Sequence, residues 1–576
     1  MSEKRHKPVR MTVAHINDTH SYFEPTSLQL HLNHVEPSIE PYVSAGGFAR
    51  IATRSKQLRA QAKSEQRQFL FLHAGDCFQG TLYFSLFKGR ANADMLNALN
   101  IDAMTLGNHE LDMGNEPVAD FVQRIDFPFL CGNWDLSQEL MSKEKRIGQH
   151  NGVYSYDPVT RAANWITKEV DGESVAVFGL SIDKMTDIAN PDSDTPFIQA
   201  LDVARHTVNA IHQTGINKII LLSHLGYEQD KALAHEVEGI GLIVGGHSHR
   251  LQGDFSALGF ADDEAYGQHI NGTYVVQAGY HALSMGHCHI DFDEHGQVTW
   301  FEGQNELLFG RRVFLDASLS QPRNDAQYQL ACDWIKAQTN VVICKKDPEV
   351  QSLLRDKYMP RVKALSEQVV AVLSQPLRHV RLPDEKGGSE LAPMVAESFL
   401  YAMRNLGHDI QFAMHNAGGV RSSLHAGSVS VADISGKLLP FAVPIGVYRI
   451  HGQALADCIE GAINNATNNG VEGTGSGSYP YMSRLRFDYD AQAIIGQRVT
   501  SLEICDDQGQ WQPVEKNKIY CGTSSAYTMK GKEGYDAILQ QEPGSIVTTL
   551  SMADCFAQYL TDCHSAELET TYSIHQ

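Results

Sequence analysis

The first 250 residues of the chain contain several short motifs with side chains that bind divalent metals. The candidate ligands are Asp18 and His20 in DTH, Asp76 in GDCFQG, Asn108 in GNHELD, His224 in SHLG, and His247 and His249 in GHSH. A single motif of this kind more often caps a helix than binds a metal, but five in succession favour a metal site. Imidazole, carboxylate and amide ligands without thiolate suit Zn, Mn, Fe or Co better than Mg or Ca.

The spacing of these residues also indicates how they could act together. Two divalent cations about 4 Å apart need a carboxylate that bridges them, and such pairs catalyse hydrolysis of phosphate esters. Side chains two positions apart on an extended segment project from the same face. We therefore expect Asp18 with His20, and His247 with His249, to project together from extended backbone.

The elements that must position these motifs are short apolar runs, five of which end at or beside a motif. The runs, with the polar residues that follow them, are MTVAHIND, QFLFLHAGD, AMTLGNHE, VAVFGLS, KIILLSHLG, LIVGGHSH and TYVVQAG. Continuous apolar runs separated by helical patterns are typical of buried strands in an α/β domain. Ligands of open α/β sheets bind at the carboxyl ends of the strands. The positions of the motifs therefore favour a functional role for their polar residues.

Composition limits the number of domains and the classes of partner. A chain of 576 residues is too long for one hydrophobic core, so at least two domains are expected. The net charge of −21 repels polyanions and acidic lipid surfaces, which argues against a nucleic-acid or membrane partner. No apolar window of about 18 residues occurs, so no membrane span is expected. The ten scattered cysteines and the absence of a signal-peptide pattern favour the cytoplasm.

A helical pattern separates two regions of different composition. Residues 347–373 form an amphipathic pattern that predicts a long helix, which Pro360 could kink. Beyond it the chain changes to short strands with Gly, Asn and Ser turns. We therefore expect an N-terminal domain over residues 1–345, a linker helix over 346–374, and a C-terminal domain over 375–576.

The five motifs, in this order, resemble the signature of calcineurin-like metallophosphoesterases, in the 5'-nucleotidase family that also includes UDP-sugar hydrolases. The resemblance implies a four-layer α/β/β/α dimetal domain followed by an α+β nucleotidase domain. It also implies the ligand sets: Asp18, His20, Asp76 and His249 hold one metal, while Asp76, Asn108, His224 and His247 hold the other. Some relatives carry Gln or Asn in place of His249.

The same resemblance implies a catalytic pair within GNHELD. His109 faces the phosphoryl group and Asp112 orients its imidazole. Alternatively, Asp112 caps the helix predicted over NEPVADF, and the two roles are compatible. His281, His287 and His289 alternate as in a strand, and we do not expect them to be metal ligands because seven ligands are already present.

Two segments of the C-terminal region resemble the phosphate-binding part of the family. HNAGGVRSSL resembles the motif NGGGIR, which implies that Asn416, Gly418 and Arg421 bind phosphate. The alternative is a tight turn between strands. LRHVRLPDEKGG resembles a segment with another phosphate-contacting arginine, for which Arg381 is our choice and Arg378 the rival.

Two further segments resemble the base-binding part of the family. LPFAVPIG places Phe441 at one aromatic of a base-stacking clamp, and TSSAYTMKGKEGYD places Tyr527 at the other and Glu533 at an acidic position. The alternative for either aromatic is core packing. The family's Gly-Asn is replaced by Ala442 and Val443, so an amide that would bind the base is missing.

These features together predict an enzyme that hydrolyses phosphate monoesters, most readily nucleoside 5'-monophosphates, by in-line attack of metal-bound hydroxide. A phosphodiesterase acting on UDP-sugars or 2',3'-cyclic nucleotides is the same-class alternative. A more distant alternative is a ligand-binding protein that keeps the fold but does not catalyse a reaction.

Overall fold

The computed structural model describes residues 6–32, 35, 38–315, 326–441, 443–467, 475–490 and 492–563. The chain divides into two compact units. The first comprises Met1–Gln79 and Leu86–Pro360, and the second comprises Gly80–Ser85 and Arg361–Gln576.

The first unit alternates strands and helices, as the apolar runs predict. Its strands are β1 (Val9–Ile16), β2 (Thr26–Gln29), β3 (Tyr42–Ala45), β4 (Gln68–His73), β5 (Ala103–Thr105), β6 (Phe129–Cys131), β7 (Val153–Asp157), β8 (Ala162–Ala163), β9 (Trp165–Val170), β10 (Glu173–Ser181), β11 (Lys218–His224), β12 (Leu242–Val244), β13 (Gln268–Ile270), β14 (Thr273–Val276), β15 (Ser284–Phe292), β16 (Val298–Phe314) and β17 (Val341–Ile343). The helices up to residue 353 are α1 (Phe48–Ser64), α2 (Leu82–Phe87), α3 (Arg90–Leu99), α4 (Asn115–Val122), α5 (Met185–Ile188), α6 (Ala200–Gln213), α7 (Tyr227–Glu236), α8 (Ala326–Ala337) and α9 (Pro348–Leu353).

Two sheets pack face to face in this unit. One has the strand order β2-β3-β16-β15-β1-β4-β5-β6-β7-β8, with β17 beside β16, and the other has the order β13-β14-β12-β11-β10-β9. Apolar side chains of both sheets form one core, which includes Val13, Leu72, Val177 and Leu222. Helix α1 packs on the outer face of the first sheet, and α6 and α7 pack on the second. The α/β/β/α layering is therefore confirmed.

The segment expected to be one linker helix to residue 374 is helical only in part. Helix α9 continues through a wider turn (Leu354–Tyr358) into α10 (Met359–Ser366). The prediction is wrong beyond Ser366, because Val369–Leu373 forms strand β18, which pairs with Gly427–Ser430. The reason is the sequence VVAVL, since β-branched side chains favour strands over helices.

The second unit contains a mixed sheet with helices on both faces. Its further strands are β19 (Phe412–Asn416), β20 (Gly427–Ser430), β21 (Pro444–His451), β22 (Pro480–Ser483), β23 (Leu485–Tyr489), β24 (Val499–Cys505), β25 (Trp511–Pro513), β26 (Ile519–Ser525) and β27 (Ile546–Ser551). Its helices are α11 (Leu391–Asn405), α12 (Val431–Asp433), α13 (Gly452–Ala466), α14 (Ala526–Met529) and α15 (Met552–Asp562).

The main sheet of this unit has the order β22-β19-β26-β21-β27, in which only the β19 and β26 pair is parallel. Phe399 of α11 and Phe556 of α15 belong to one apolar cluster, whereas Leu455 of α13 belongs to another. The expected α+β class of the C-terminal domain is thus confirmed. Within the described residues, no helix is both long and apolar enough to cross a membrane.

Candidate metal centre and substrate-binding residues

The candidate metal ligands follow the carboxyl ends of parallel strands in the two facing sheets. Strands β1, β4 and β5 are parallel neighbours in the first sheet, and β11 and β12 are parallel neighbours in the second. Asp18, Asp76 and Asn108 come just after the first three strands, His224 ends β11, and His247 follows β12. Because all five strands run the same way within their sheets, their ends bring these side chains together.

One group of ligands consists of Asp18, His20 and His249, whose ligating atoms all lie within 4.8 Å of one another. His20 Nε2 is 3.2 Å from His249 Nε2, and His249 Nε2 is 3.4 Å from Asp18 Oδ1. His20 Nδ1 lies 3.2 Å from the carbonyl oxygen of Phe78. If Nδ1 donates to that carbonyl, Nε2 is left with its lone pair directed at the group.

A second group consists of Asp76, His224 and His247, again within 4.8 Å. His224 Nδ1 donates to the carbonyl oxygen of Ala74 at 2.7 Å, and its Nε2 lies 3.2 Å from Asp76 Oδ2. The amide oxygen of Asn108 is 3.0 Å from His247 Nδ1. All seven side chains named from the sequence are therefore near one another in this unit.

The electrostatics of the two groups fit divalent cations. Asp18 and Asp76 are buried, and burial alone opposes their ionisation, but the imidazoles around them hold the pKa of each below its usual value. Buried ionised carboxylates require positive charge beside them. Burial lowers the pKa of His20 and of His247 to about 4, which leaves both imidazoles neutral and able to bind a metal.

His224 points to the same requirement. Its Nε2 is buried and makes no hydrogen bond among the residues that the structure describes. Burial disfavours the imidazolium, yet Asp76 raises the pKa of His224 to about 9. Positive charge is thus favoured between His224 and Asp76, and a divalent cation would supply it. The donor set therefore fits metal ions.

The backbone at these motifs is not extended, so the expectation of extended segments is wrong, although Asp18 and His20 do enter the same ligand group. Asp18, His20, Asp76, His247 and His249 all have positive φ, between 46° and 71°. Non-glycine residues rarely adopt this conformation, which costs energy and is concentrated at functional sites. His247 and His249 enter different groups.

The expected catalytic pair is formed beside these groups. His109 Nδ1 lies 2.7 Å from Asp112 Oδ2, and the His109 ring is 5.2 Å from that of His20. Burial opposes the imidazolium, but Asp112 and then Asp76 raise the pKa of His109 to about 10. Helix α4 begins after Gly114 without a side-chain cap, so Asp112 does not cap it.

The histidines set aside in the sequence do not enter either ligand group of the described chain. The ring of His281 stacks on Tyr22 with centroids 3.9 Å apart. His289 Nδ1 lies 2.9 Å from the Thr12 hydroxyl, and His287 Nδ1 lies 3.8 Å from Glu306. The ring of His281 also lies 5.7 Å from that of His20, beside the first ligand group, whereas His287 and His289 belong to polar contacts of strand β15.

Sequence reasoning missed two groups that orient the ligands. Asn17 donates from Nδ2 to Asp18 Oδ2 and to the carbonyl oxygen of Gly279, both at 2.6 Å. Tyr280 stacks on the ring of His249 at 5.0 Å. Asn17 directly precedes the DTH motif and could have been noticed there, but nothing local in the sequence indicates the contact of Tyr280.

In the second unit, the structure brings together several of the candidate substrate-binding residues. Asn416 ends β19 and donates from Nδ2 to Glu533 Oε2 at 2.8 Å. The turn that contains Gly418 follows, and Arg421 Nη1 donates to the Gly418 carbonyl at 3.3 Å. The guanidinium of Arg421 lies 5.7 Å from the centroid of the Phe441 ring.

The two candidate arginines upstream differ in their surroundings. Arg378 pairs with Asp384 and lies 3.4 Å from the carbonyl oxygen of Gly387, within its own loop. Arg381 is exposed, and after burial it is the main cause that lowers the pKa of Arg421. The positive charges of Arg381 and Arg421 thus repel each other.

The two candidate aromatics are both partly buried. Phe441 packs at the margin of the cluster that contains α11, and the side chain of Val443 packs against the same cluster. Tyr527 lies in α14, which begins directly after β26. Ala442 lies outside the described residues. Packing of Val443 on the core agrees with the absence of a base-binding amide there.

A four-layer sandwich with two convergent ligand groups at its strand ends defines a metallophosphoesterase. Residues 11–251 match the family model for calcineurin-like phosphoesterases, and residues 369–540 match that for the 5'-nucleotidase C-terminal domain. The chain belongs to the 5'-nucleotidase family and is a metal-dependent hydrolase.

Relatives of known name match nearly the whole chain. A probable 5'-nucleotidase of Treponema pallidum is 29% identical over 574 residues, which covers 96% of this chain and 90% of the relative. The NAD 5'-nucleotidase of Haemophilus influenzae is 29% identical over 548 residues, or 92% and 86% of the two chains. Among solved structures, a 5'-nucleotidase precursor of Thermus thermophilus is similar with a TM-score of 0.69 and 27% identity, covering 96% of each chain.

Proposed function

We propose that this protein hydrolyses nucleoside 5'-monophosphates to nucleoside and phosphate at a pair of divalent metal ions. The observation that carries the proposal is the convergence of two ligand groups, around Asp18 and around Asp76, with the His109 and Asp112 pair beside them. The nucleotidase C-terminal domain in the same chain supports a nucleotide as the substrate.

The two metal ions have defined candidate ligands. Asp18, His20, Asp76 and His249 would hold one, and Asp76, Asn108, His224 and His247 the other, with Asp76 shared. When bound, a pair of such ions polarises the phosphoryl group and lowers the pKa of water. Four imidazoles among the ligands favour Zn, Mn, Co or Fe over Mg or Ca.

His109 acts directly on the substrate in this proposal. Its Nδ1 is engaged by Asp112 at 2.7 Å, which orients the ring and stabilises the imidazolium. The other ring nitrogen, Nε2, then donates a proton to the leaving oxygen or a hydrogen bond to the phosphoryl oxygens. Asp112 is a positioning residue for this imidazole.

The second unit supplies the nucleotide-binding residues. Arg381 and Arg421 bind the phosphate, because guanidinium groups form paired hydrogen bonds with its oxygens. Asn416 and the Gly418 turn add polar groups beside Arg421, Glu533 adds an acidic group, and Phe441 with Tyr527 bind the base by stacking. The contacts between Asn416 and Glu533 support this grouping.

We propose the cytoplasm as the compartment of this enzyme. Seven of the ten cysteines are buried as free thiols. Free thiols persist in a reducing compartment, whereas exported proteins commonly pair them.

A substrate panel tests the proposed function. Purified protein loaded with Mn, Zn or Co is assayed with AMP, UDP-glucose, 2',3'-cyclic AMP, NAD and p-nitrophenyl phosphate. We expect kcat/KM to be highest for AMP. A higher value for a nucleotide sugar, a dinucleotide or a cyclic nucleotide would make the protein a diesterase. Failure to hydrolyse even p-nitrophenyl phosphate with every metal would favour a non-catalytic binding protein.

A further inference from the structure

The carboxylate of Glu110 lies in the interior of the metal-binding unit and makes an unusual set of hydrogen bonds. The residue follows His109 in a short helical turn and is fully buried. Its Oε1 accepts hydrogen bonds from the backbone N–H groups of Cys77 at 2.7 Å and Phe78 at 3.0 Å. Its Oε2 accepts from those of Asp76 at 3.0 Å and Gly107 at 2.7 Å. One side chain thus satisfies four backbone donors.

These donors belong to two loops that carry candidate metal ligands. Three of them lie in the loop after β4, which contains Asp76, and the fourth is Gly107 in the turn after β5, which contains Asn108. The two loops touch closely, since a methyl group on Gly107 would lie 2.1 Å from Asp76 Oδ1. The N–H of His109 also donates to Asp76 Oδ1 at 2.9 Å. Glu110 therefore joins the two loops at their point of contact.

The loop after β4 in turn holds the loop after β1. The N–H groups of Asp18, His20 and Ser21 donate to the carbonyl oxygens of residues 75, 76 and 77 at 2.9 to 3.1 Å. Asp76 itself has φ of 58°, a conformation that surrounding contacts must maintain. The three loops that carry candidate ligands are thus linked. The loop after β4 is the central one, since its carbonyl groups bind the loop after β1 and its N–H groups bind Glu110.

Glu110 is neither a metal ligand nor a group that contacts substrate. Each of its oxygens already accepts two hydrogen bonds, and the side chain has no exposed surface. Four backbone N–H groups that converge on two oxygens use this carboxylate as an acceptor alone. Its contribution must therefore act through the residues that it holds.

We propose that Glu110 is a positioning residue of the metal centre: its carboxylate fixes Asp76, Asn108 and His109 relative to one another. This inference rests on the proposed dimetal site. Removing these acceptor oxygens would leave N–H groups without acceptors, and the strained turn at Asp76 would relax away from the geometry that two cations require. Partners of this kind, behind the ligands, typically contribute 10–100-fold to metal affinity or activity.

The test compares Glu110→Gln with a control, Glu139→Gln. An amide has one acceptor oxygen, and its NH₂ would face two backbone N–H donors, so Glu110→Gln breaks the arrangement without changing its size. Glu139 is also a buried glutamate of this unit that accepts from backbone, at Ile147 and Gly148, but it contacts none of the candidate ligands. The control shows how far metal binding and activity change when a buried, backbone-binding carboxylate is lost away from the candidate ligands.

The apoproteins are titrated with Co²⁺, whose visible absorption reports ligand geometry, and metal content is measured after dialysis. We expect Glu110→Gln to bind Co²⁺ about 10–100-fold more weakly with an altered spectrum. Its kcat should fall, and added metal should restore it in part, while KM for AMP stays within about twofold because the nucleotide-binding residues are in the other unit. Glu139→Gln should keep the metal affinity and the spectrum of the wild type.

Wild-type Co²⁺ affinity and spectrum in Glu110→Gln would overturn the inference, as would losses equal to those of Glu139→Gln. If Glu110→Gln does not fold, Glu110→Asp replaces it, since this variant keeps the anion but is one methylene too short to hold both loops. Unchanged Co²⁺ binding by folded Glu110→Asp would equally overturn it. Wild-type protein that binds no metal would instead refute the proposed function.

Discussion

Replacing Gly107 by alanine tests how tightly the metal-binding loops are packed. An added Cβ would lie 2.1 Å from Asp76 Oδ1 and 2.3 Å from its backbone nitrogen. Restoring ordinary van der Waals contact requires a displacement of about 1.3 Å. Metal–ligand distances tolerate only about 0.2 Å, and a misplacement of about 1 Å costs on the order of 10²-fold in rate. We therefore expect kcat to fall by about two orders of magnitude.

The assay measures AMP hydrolysis at saturating metal, together with metal content and the melting temperature. Overpacking should also cost about 1–3 kcal/mol of unfolding free energy, which the melting temperature reports. Gly436→Ala is the matched control, because neither glycine has a positive φ and a Cβ on Gly436 would meet no atom within 4 Å. The control should keep full activity and both metals.

One result would refute this reasoning. If Gly107→Ala retains two bound metals and kcat within about threefold of the control, Asp76 can move without loss of function. Its shared role between the two ligand groups would then be wrong.

Three further predictions concern the catalytic pair, the base and stability. Asp76→Asn should lose bound metal and activity, whereas His109→Ala should keep its metals and lose about 10²–10⁴-fold in kcat. Metal analysis and kinetics distinguish the two variants, and equal loss of metal in both would contradict this prediction. In the wild type, the kcat/KM values for AMP, GMP, UMP and CMP should lie within about a hundredfold of one another, since Val443 offers no hydrogen bond to the base. Phe441→Ala should weaken the binding of all four nucleotides alike. A thousandfold preference for one nucleotide would contradict recognition by stacking. Burial opposes ionisation of Asp94, but hydrogen bonds from Arg124, Lys357 and Tyr358 lower its pKa to about 2. Asp94→Asn should thus cost about 1–3 kcal/mol at neutral pH, and the melting-temperature difference should shrink as the pH falls from about 4 to about 2; a constant difference would contradict it.

The sequence alone determined the strands of the metal-binding unit and the identity of the candidate ligands. Strands buried on both faces must be apolar throughout, so runs such as KIILLSH of β11 are visible without coordinates. Metal chemistry restricts ligands to a few side-chain types, and five motifs at successive strand ends indicated the same chemistry. Similarity to a known family supplied the four layers and the ligand sets, which the spacing of the residues did not.

Only the tertiary structure decided how these residues are arranged. Asp18 and His20 share a ligand group while His247 and His249, at the same spacing and also with positive φ, enter different ones, and only the positions of the loops show this. Three of the four donors on Glu110 come from a loop more than 30 residues away, a separation that local periodicity does not encode. After Ser366, the β-branched residues of β18 favour a strand locally, but its partner β20 lies about 60 residues further on and is known only from the tertiary structure. Local pattern specifies which residue types occur and which face is buried, while contacts between distant segments fix their distances and directions.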